Sequence, residues 1–161
     1  MAYSPVTNDD VLELRAFLSE ADLTIAGLDS TAVRLWVERD HDGNIVGSTG
    51  YEASTDGADV LIRSVAVSSG RRTAGAGTRL ARFALEEAAS SGATRAWLFS
   101  RRSGPFWQKI GFGRADRDEL AAVLSDTQQV RLFTETGQLE REVAWMRELK
   151  ALCSALGGPT R

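Results

Sequence analysis

Arg72, Gly75 and Gly77 are spaced as Arg-x-x-Gly-x-Gly between the strand-like run Leu61-Ile-Arg-Ser-Val-Ala-Val67 and the helix-like run from Thr78 to Ser91. That arrangement suits a pyrophosphate. Glycines let the backbone curl so that successive N–H groups converge on an anion, and the helix that follows points its positive end at the same spot. Arg72 adds a guanidinium whose fork matches phosphate oxygens. Three matched positions make a weak pattern by themselves, so a plain Gly-rich strand-to-helix turn stands equally open at this point. Two rival phosphate motifs fail. A P-loop requires Gly-x4-Gly-Lys-Ser/Thr, whereas Gly70-x4-Gly75 continues as Ala76-Gly77 with no lysine. A dinucleotide fingerprint requires a small residue where Leu80 stands, and an acidic strand end about 20 residues on, where the chain reads Trp97-Leu-Phe99.

Charge agrees with a small anionic ligand. Arg63, Arg71, Arg72, Arg79 and Arg82 gather around the cradle, although the formal net charge of the whole chain is −3. The overall balance argues against a nucleic-acid surface, while the local cluster suits a compact polyphosphate. At 161 residues, with 43% hydrophobic and 25% charged residues, the chain has the composition of one globular domain. Such a length buries roughly 70% of its unfolded surface, enough for a core without staples. We read residues 1–156 as that domain and 157–161 as a disordered tail. The lone Cys153 has no internal disulfide partner, no apolar run approaches the ~18 residues of a membrane span, and the N-terminus lacks a signal pattern. A cytoplasmic location, no membrane partner and no metal site are expected. His41 lies in a turn and is expected at the surface.

The elements that must hold the cradle follow from periodicity and punctuation. Asn8-Asp-Asp reads as a helix start, and Val11, Leu14 and Leu18 repeat at helical spacing, which predicts a helix over 9–20. Ala32 to Glu38 alternates as a strand, His41-Asp-Gly-Asn44 supplies a turn, and Ile45 to Tyr51 returns. Thr55-Asp-Gly57 turns again into Val60–Val67, so three strands form an antiparallel meander. Thr78 to Ser91 places Leu80, Ala84, Leu85 and Ala88 on one face and ends at Gly92, before the short strand Ala96 to Phe99. Strand, helix, strand at this spacing is a right-handed βαβ unit with a parallel strand pair. A short helix over 105–110, a helix over 118–124, and closing strands at 129–133 and 142–146 complete the expectation. The fold class is α/β (α+β), with a mixed, mostly antiparallel sheet and flanking helices.

Three features coincide at fixed separations: Val65-Ala-Val67, Arg72-x-x-Gly75-x-Gly77, and Phe106-Trp-Gln-Lys-Ile-Gly-Phe112 after the next strand. Together they resemble the GNAT N-acetyltransferase superfamily over nearly the whole chain. Gly50-Tyr-Glu52, Leu61 to Val67, Arg117-Asp-Glu-Leu, Thr127-Gln-Gln and Val143 to Leu149 look like its arsenic-resistance-associated branch. Branch likeness constrains shape more than substrate. The resemblance implies acetyl-CoA as cosubstrate, with a sheet splayed between the strands at 60–67 and 95–99. It implies CoA pyrophosphate on the backbone of Thr73, Ala74, Gly75, Ala76, Gly77 and Thr78 beside Arg72. Pantetheine would lie along Val65, Ala66 and Val67, with Phe106 and Lys109 of the second motif also at the cosubstrate.

The chain departs from the family where chemistry is concerned. Transfer to an amine needs a neutral nucleophile, donors for the developing oxyanion, and a proton for the leaving thiolate. Many family members supply that proton from the tyrosine of Phe-Tyr-x-Lys, and here the position is Trp107, whose indole N–H is no ordinary acid. Core packing is the simpler role for Trp107. Ser100 and Ser103 are the nearby hydroxyls, and Glu52 is the remaining base, with a surface carboxylate as the equal alternative. Arg63, Arg101 and Arg102 flank the slot where a small amine bearing a carboxylate or other oxyanion would enter, against plain surface solubilisation. Two functions stay open: an acetyl-CoA-dependent N-acetyltransferase working in a ternary complex, or a non-catalytic acyl-CoA-binding sensor or accessory module. A homodimer through the strand Val143 to Met146 is left open as well.

Overall fold

The computed structural model describes residues 3–28, 30–71 and 75–149. Seven strands form one sheet: β1 (Ser4–Pro5), β2 (Val33–Arg39), β3 (Ile45–Ala53), β4 (Asp59–Val67), β5 (Arg95–Phe99), β6 (Gly113–Ala115) and β7 (Ala144–Glu148). Their order is β1-β2-β3-β4-β5-β7-β6, with only the β4–β5 pair parallel. Among the described residues five α-helices accompany them: α1 (Val11–Glu20), α2 (Ala76–Ser90), α3 (Gly104–Lys109), α4 (Arg117–Val123) and α5 (Gln128–Thr136). The mixed sheet with flanking helices and the βαβ unit β4-α2-β5 are as expected.

Period-two alternation in the strands sorts side chains to two faces. Trp36, Tyr51, Val60, Ile62, Ala96 and Leu98 face α2 and α3, where Ala81, Ala84, Leu85 and Ala88 complete one core. On the opposite face, Leu35, Val37 and Ile45 pack on Leu14 and Leu18 of α1. Farther along that face, Leu61 and Trp97 pack on Leu120 of α4 and Val130 of α5. Full burial of leucines such as Leu14, Leu80 and Leu85 is worth about 1.5–3 kcal/mol each. Alanines on the sheet-facing side of α2 let it approach closely, and the Thr49 hydroxyl on β3 donates to the Leu80 carbonyl at 2.7 Å. Gly50 has no room for a side chain, since a Cβ there would sit 2.2 Å from the Arg34 carbonyl oxygen.

A β-bulge interrupts this alternation. Ser48 pairs with Ala66 but Gly50 pairs with Arg63, so Thr49 alone opposes Ser64 and Val65. Ser64 adopts φ +62°, and its carbonyl is held by the Ser48 hydroxyl at 2.6 Å. The extra residue reverses facing: Ile62 and Val65 both look to the α2 side, and Ala66 to the α1 side.

Three expectations change. Residues 129–133 belong to α5, not a strand, because Thr127 caps a helix there: its hydroxyl accepts from the Val130 N–H at 3.3 Å. Val130 and Phe133, three apart, then fall on one buried helical face. The first helix starts with a short 3₁₀ turn over Asn8–Asp10, in which Asp10 accepts from the Thr7 N–H at 2.8 Å, so Thr7 rather than Asn8 stands at the cap. Two short strands, β1 and β6, were not anticipated. The closing strand β7 pairs inside the chain, with β5 and β6. Among the described residues no helix is long and apolar enough to cross a membrane. Cys153 and the tail at 157–161 lie outside the described residues.

Candidate active site

Parallel pairing of β4 with β5 runs only from Asp59–Arg95 to Leu61–Trp97. Beyond that point the strands diverge, β5 continuing instead against β7, and the wedge opens into a cleft of about 700 Å³. The bulge at Ser64 sits where the divergence begins, and bulges sharpen local twist. Val65, Ala66 and Val67 of β4 form one wall and Phe99 and Ser100 the other. Gly77 of α2 with Phe106 and Trp107 of α3 close one face of the wedge. The Ala21–Thr24 loop with Gln129 and Phe133 of α5 closes the opposite one.

At the α2 end the cleft suits an anion. Gly75 is the N-cap in the left-handed region at φ +90°, a conformation that glycine adopts without strain. The N–H groups of Ala76, Gly77 and Thr78 start a fifteen-residue helix and so have no intrahelical acceptor. A Cβ on Gly77 would project into the cleft 3.5 Å from the Phe106 ring, so the missing side chain leaves room for a ligand. Arg72, Thr73 and Ala74 lie outside the described residues. Lys109 is exposed at the last turn of α3 and does not line the cleft.

Glu52 and Arg63 are placed away from the cleft, which replaces the roles expected for them as base and acceptor contact. Neither lines the cleft, and both side chains are essentially inaccessible. The Arg63 Nη1 donates to Glu52 Oε2 at 2.8 Å and to the Ala26 carbonyl at 2.7 Å, while its Nη2 donates to the Thr24 carbonyl at 3.1 Å. Glu52 also accepts the N–H of Gln128 at 2.6 Å and of Gln129 at 3.2 Å, at the start of α5. Every oxygen of the carboxylate is spoken for. Burial pushes the Arg63 pKa below its ordinary value, with the Glu52 charge opposing that shift. The pair ties β3, β4, α5 and the 24–26 loop together and thereby holds one wall of the cleft in place.

Ser100, Ser103, Arg101 and Arg102 do come together at the cleft. The Ser100 hydroxyl accepts from the Ser103 N–H at 3.0 Å, which shapes the loop before α3. Trp107 is 8% exposed and stacks edge-on with Phe106 and Phe112, at 4.9 and 5.4 Å between centroids, as its packing role implies. Arg102 reaches across the mouth to Asp22 at 2.9 Å, an exposed pair of small energetic weight.

Five polar residues of the lining are not marked by the sequence reading: Asp22, Thr24, Gln129, Gln138 and Glu142. Glu142 was read only as the first residue of the closing strand. Its carboxylate is 6% exposed, accepts from Gln138 Nε2 at 2.8 Å and lies 3.5 Å from Arg101 Nε. No spacing signal marks these residues, because they converge from α5, the segment after it and the α1–β2 loop. Among the described residues no cluster of metal-ligating side chains occurs.

The fold has many relatives of known structure. N-acetylglutamate synthase from Neisseria gonorrhoeae, solved with coenzyme A and N-acetyl-glutamate, superposes with TM-score 0.69 at 19% identity over 92% of this chain. This chain spans only 35% of that protein's length. A GNAT-family acetyltransferase from Staphylococcus aureus Mu50 aligns with TM-score 0.69 at 15% identity, covering 92% of this chain and 99% of that one. Rv2747 from Mycobacterium tuberculosis, in complex with CoA and NLQ, gives TM-score 0.69 at 16% identity, with the same 92% and 99% coverage. No curated protein matches the chain in sequence. The model of the acetyltransferase (GNAT) family matches residues 6–112, well over half of the chain. With that match and the splayed β4–β5 cleft, the chain belongs to the acetyltransferase (GNAT) family.

Proposed function

We propose that this protein is an acetyl-CoA-dependent N-acetyltransferase that acts on a small, amino-acid-like amine by direct transfer in a ternary complex. The observation that carries the reading is the wedge between β4 and β5, which ends at the N-terminus of α2 beside the Cβ-free space of Gly77. The β4–β5 ladder runs from Asp59–Arg95 to Leu61–Trp97, and an extended amide-bearing arm would suit the gap that widens beyond it as an added strand does. The first-turn N–H groups of α2 suit the pyrophosphate, each exposed helix end contributing ~0.3–1 kcal/mol. Arg72 would add charge-assisted bonds. When bound, acetyl-CoA supplies an activated acyl carbonyl. The chain's own residues orient it, exclude water through Phe99, Phe106 and Phe133, and present the acceptor.

Homologous folds solved with coenzyme A support this reading, and one of them holds N-acetyl-glutamate. Likeness to the arsenic-resistance-associated branch concerns shape and leaves the acceptor to chemistry. Calorimetric titration of acetyl-CoA followed by a thiol-release assay on a panel of amines is the direct test. Saturable binding with turnover above the uncatalysed rate is expected, and absence of acetyl-CoA binding sinks the proposal. A second reading, an acyl-CoA-binding module without catalysis, draws on Trp107 standing where the family commonly has a tyrosine acid. Tight binding with no turnover across the panel favours it.

A further inference from the structure

Glu142 and Arg101 leave complementary bonding capacity open side by side. Register on β5 and β7 sets Phe99 opposite Ala144, and the Ser100 N–H donates to the Val143 carbonyl at 2.9 Å, so Arg101 and Glu142 face one another at the cleft end of the strands. Glu142 Oε2 is taken by Gln138, while Oε1 accepts no hydrogen bond from a described residue. That oxygen is not sealed in, because no buried polar side-chain atom among the described residues lacks a partner. Arg101 spends only Nε on Glu142, at a long 3.5 Å, and is 46% exposed, which leaves the fork of its guanidinium open. Asp22, the other acid lining the cleft, is solvated and paired with Arg102.

We propose that Glu142 and Arg101 form the acceptor subsite, Glu142 holding the ammonium of an α-amino acid and removing its proton while Arg101 holds the carboxylate. The inference rests on the acetyltransferase reading and deepens it. A carboxylate beside an open guanidinium matches a zwitterion in sign, whereas a simple amine leaves Arg101 unused. In the proton step one N–H bond of the ammonium breaks and one O–H bond forms on Glu142. The electron pair stays on nitrogen as the nucleophile, and Glu142 then returns the proton to water at the open cleft mouth. Other charges near the group are Arg117 of α4, whose Nη1 lies 3.4 Å from the Glu142 carbonyl oxygen, and the Asp22–Arg102 pair at the mouth. Phe99 and Phe133, 5.1 Å apart, give the acceptor's side chain an apolar flank.

The test uses the full chain saturated with coenzyme A and two probe sets, the common L-amino acids and their decarboxylated amines, with binding read by calorimetry. At least one amino acid should bind, and its decarboxylated counterpart at least about tenfold more weakly, in line with a lost charge-assisted bond. Arg101→Ala, a change at an exposed side chain, should erase that preference. Glu142→Gln should weaken the amino acid but not its deaminated carboxylic acid. In turnover, Glu142→Gln should lower kcat/KM near neutral pH, with the deficit closing as pH rises toward the acceptor amine's own pKa. If coenzyme A binds and no amino acid does, or amino acids and amines bind alike, this subsite is wrong while the acetyltransferase reading stands. If acetyl-CoA itself fails to bind, both fall.

Discussion

Glu52 with Arg63 and Glu142 with Arg101 are two carboxylate–guanidinium pairs of opposite character. The first is closed: its partners lie 2.8 Å apart, with side chains 1% and 0% exposed, and main-chain groups fill the remaining bonding positions. The second is open, at 3.5 Å with 6% and 46% exposure, and it lines the cleft. A saturated buried pair resists removal of either member, because the survivor is left charged in a low-dielectric interior. An unsaturated pair at a cleft keeps its capacity for a ligand. Residue type is the same in both, so the difference in role is one of surroundings.

The comparison can be broken most directly at Glu52. Glu52→Ala strands Arg63 and leaves the N–H groups of Gln128 and Gln129 without their acceptor, and should cost about 3–5 kcal/mol in urea unfolding. A loss below ~1 kcal/mol would place the pair among surface bridges. At the open pair, Glu142→Gln keeps an acceptor oxygen for Gln138 and should shift stability by less than ~1 kcal/mol. Its kcat/KM at neutral pH should nonetheless fall about 100-fold. Stability loss without that rate loss would make the second pair structural like the first. Gly77→Val probes the space between the pairs and the helix end. A branched side chain added 3.5 Å from Phe106 should weaken acetyl-CoA binding about tenfold while leaving the melting temperature in place, since overpacking costs ~1–3 kcal/mol only when the ligand enters.

The smallest effect belongs to a third cluster, where Arg39 bridges Asp10 at 2.7 Å and Glu13 at 2.8 Å on the surface. The Asp10 carboxyl is held below its ordinary pKa chiefly by the Thr7 N–H and then by Arg39, and that of Glu13 chiefly by Arg39. Groups with lowered folded pKa contribute stability above their unfolded pKa of roughly 4 and lose it as pH falls through the folded value. Arg39→Ala should therefore cost no more than ~1 kcal/mol at pH 7, and the gap to wild type should narrow in acid unfolding. A gap that widens in acid reverses the assignment.

Much of the molecule is legible one segment at a time. Alternating strands around Asp-Gly and Gly-Asn turns, the amphipathic α2 and the glycine at its N-cap follow from local periodicity and backbone preference, which neighbouring residues alone dictate. The segment 129–133 was misread because Val-Arg-Leu-Phe alternates like a strand, and the deciding group, the Thr127 cap, acts only once the helix exists. Val65, Ala66, Val67, Gly77 and Phe106, which the family resemblance implies at the cosubstrate, line the cleft.

What sequence determined by itself is therefore the order of elements, the strand–helix–strand succession included, and the position of the glycine turn, all set by contacts within a few residues. Tertiary structure alone decided which acids face the cleft. The bulge at Ser64 reverses the facing of β4, α5 saturates Glu52 from 76 residues away, and the segment leading into β7 brings Glu142 up to Arg101. A carboxylate's chemistry depends on who supplies its hydrogen bonds, and here those donors arrive from distant parts of the chain.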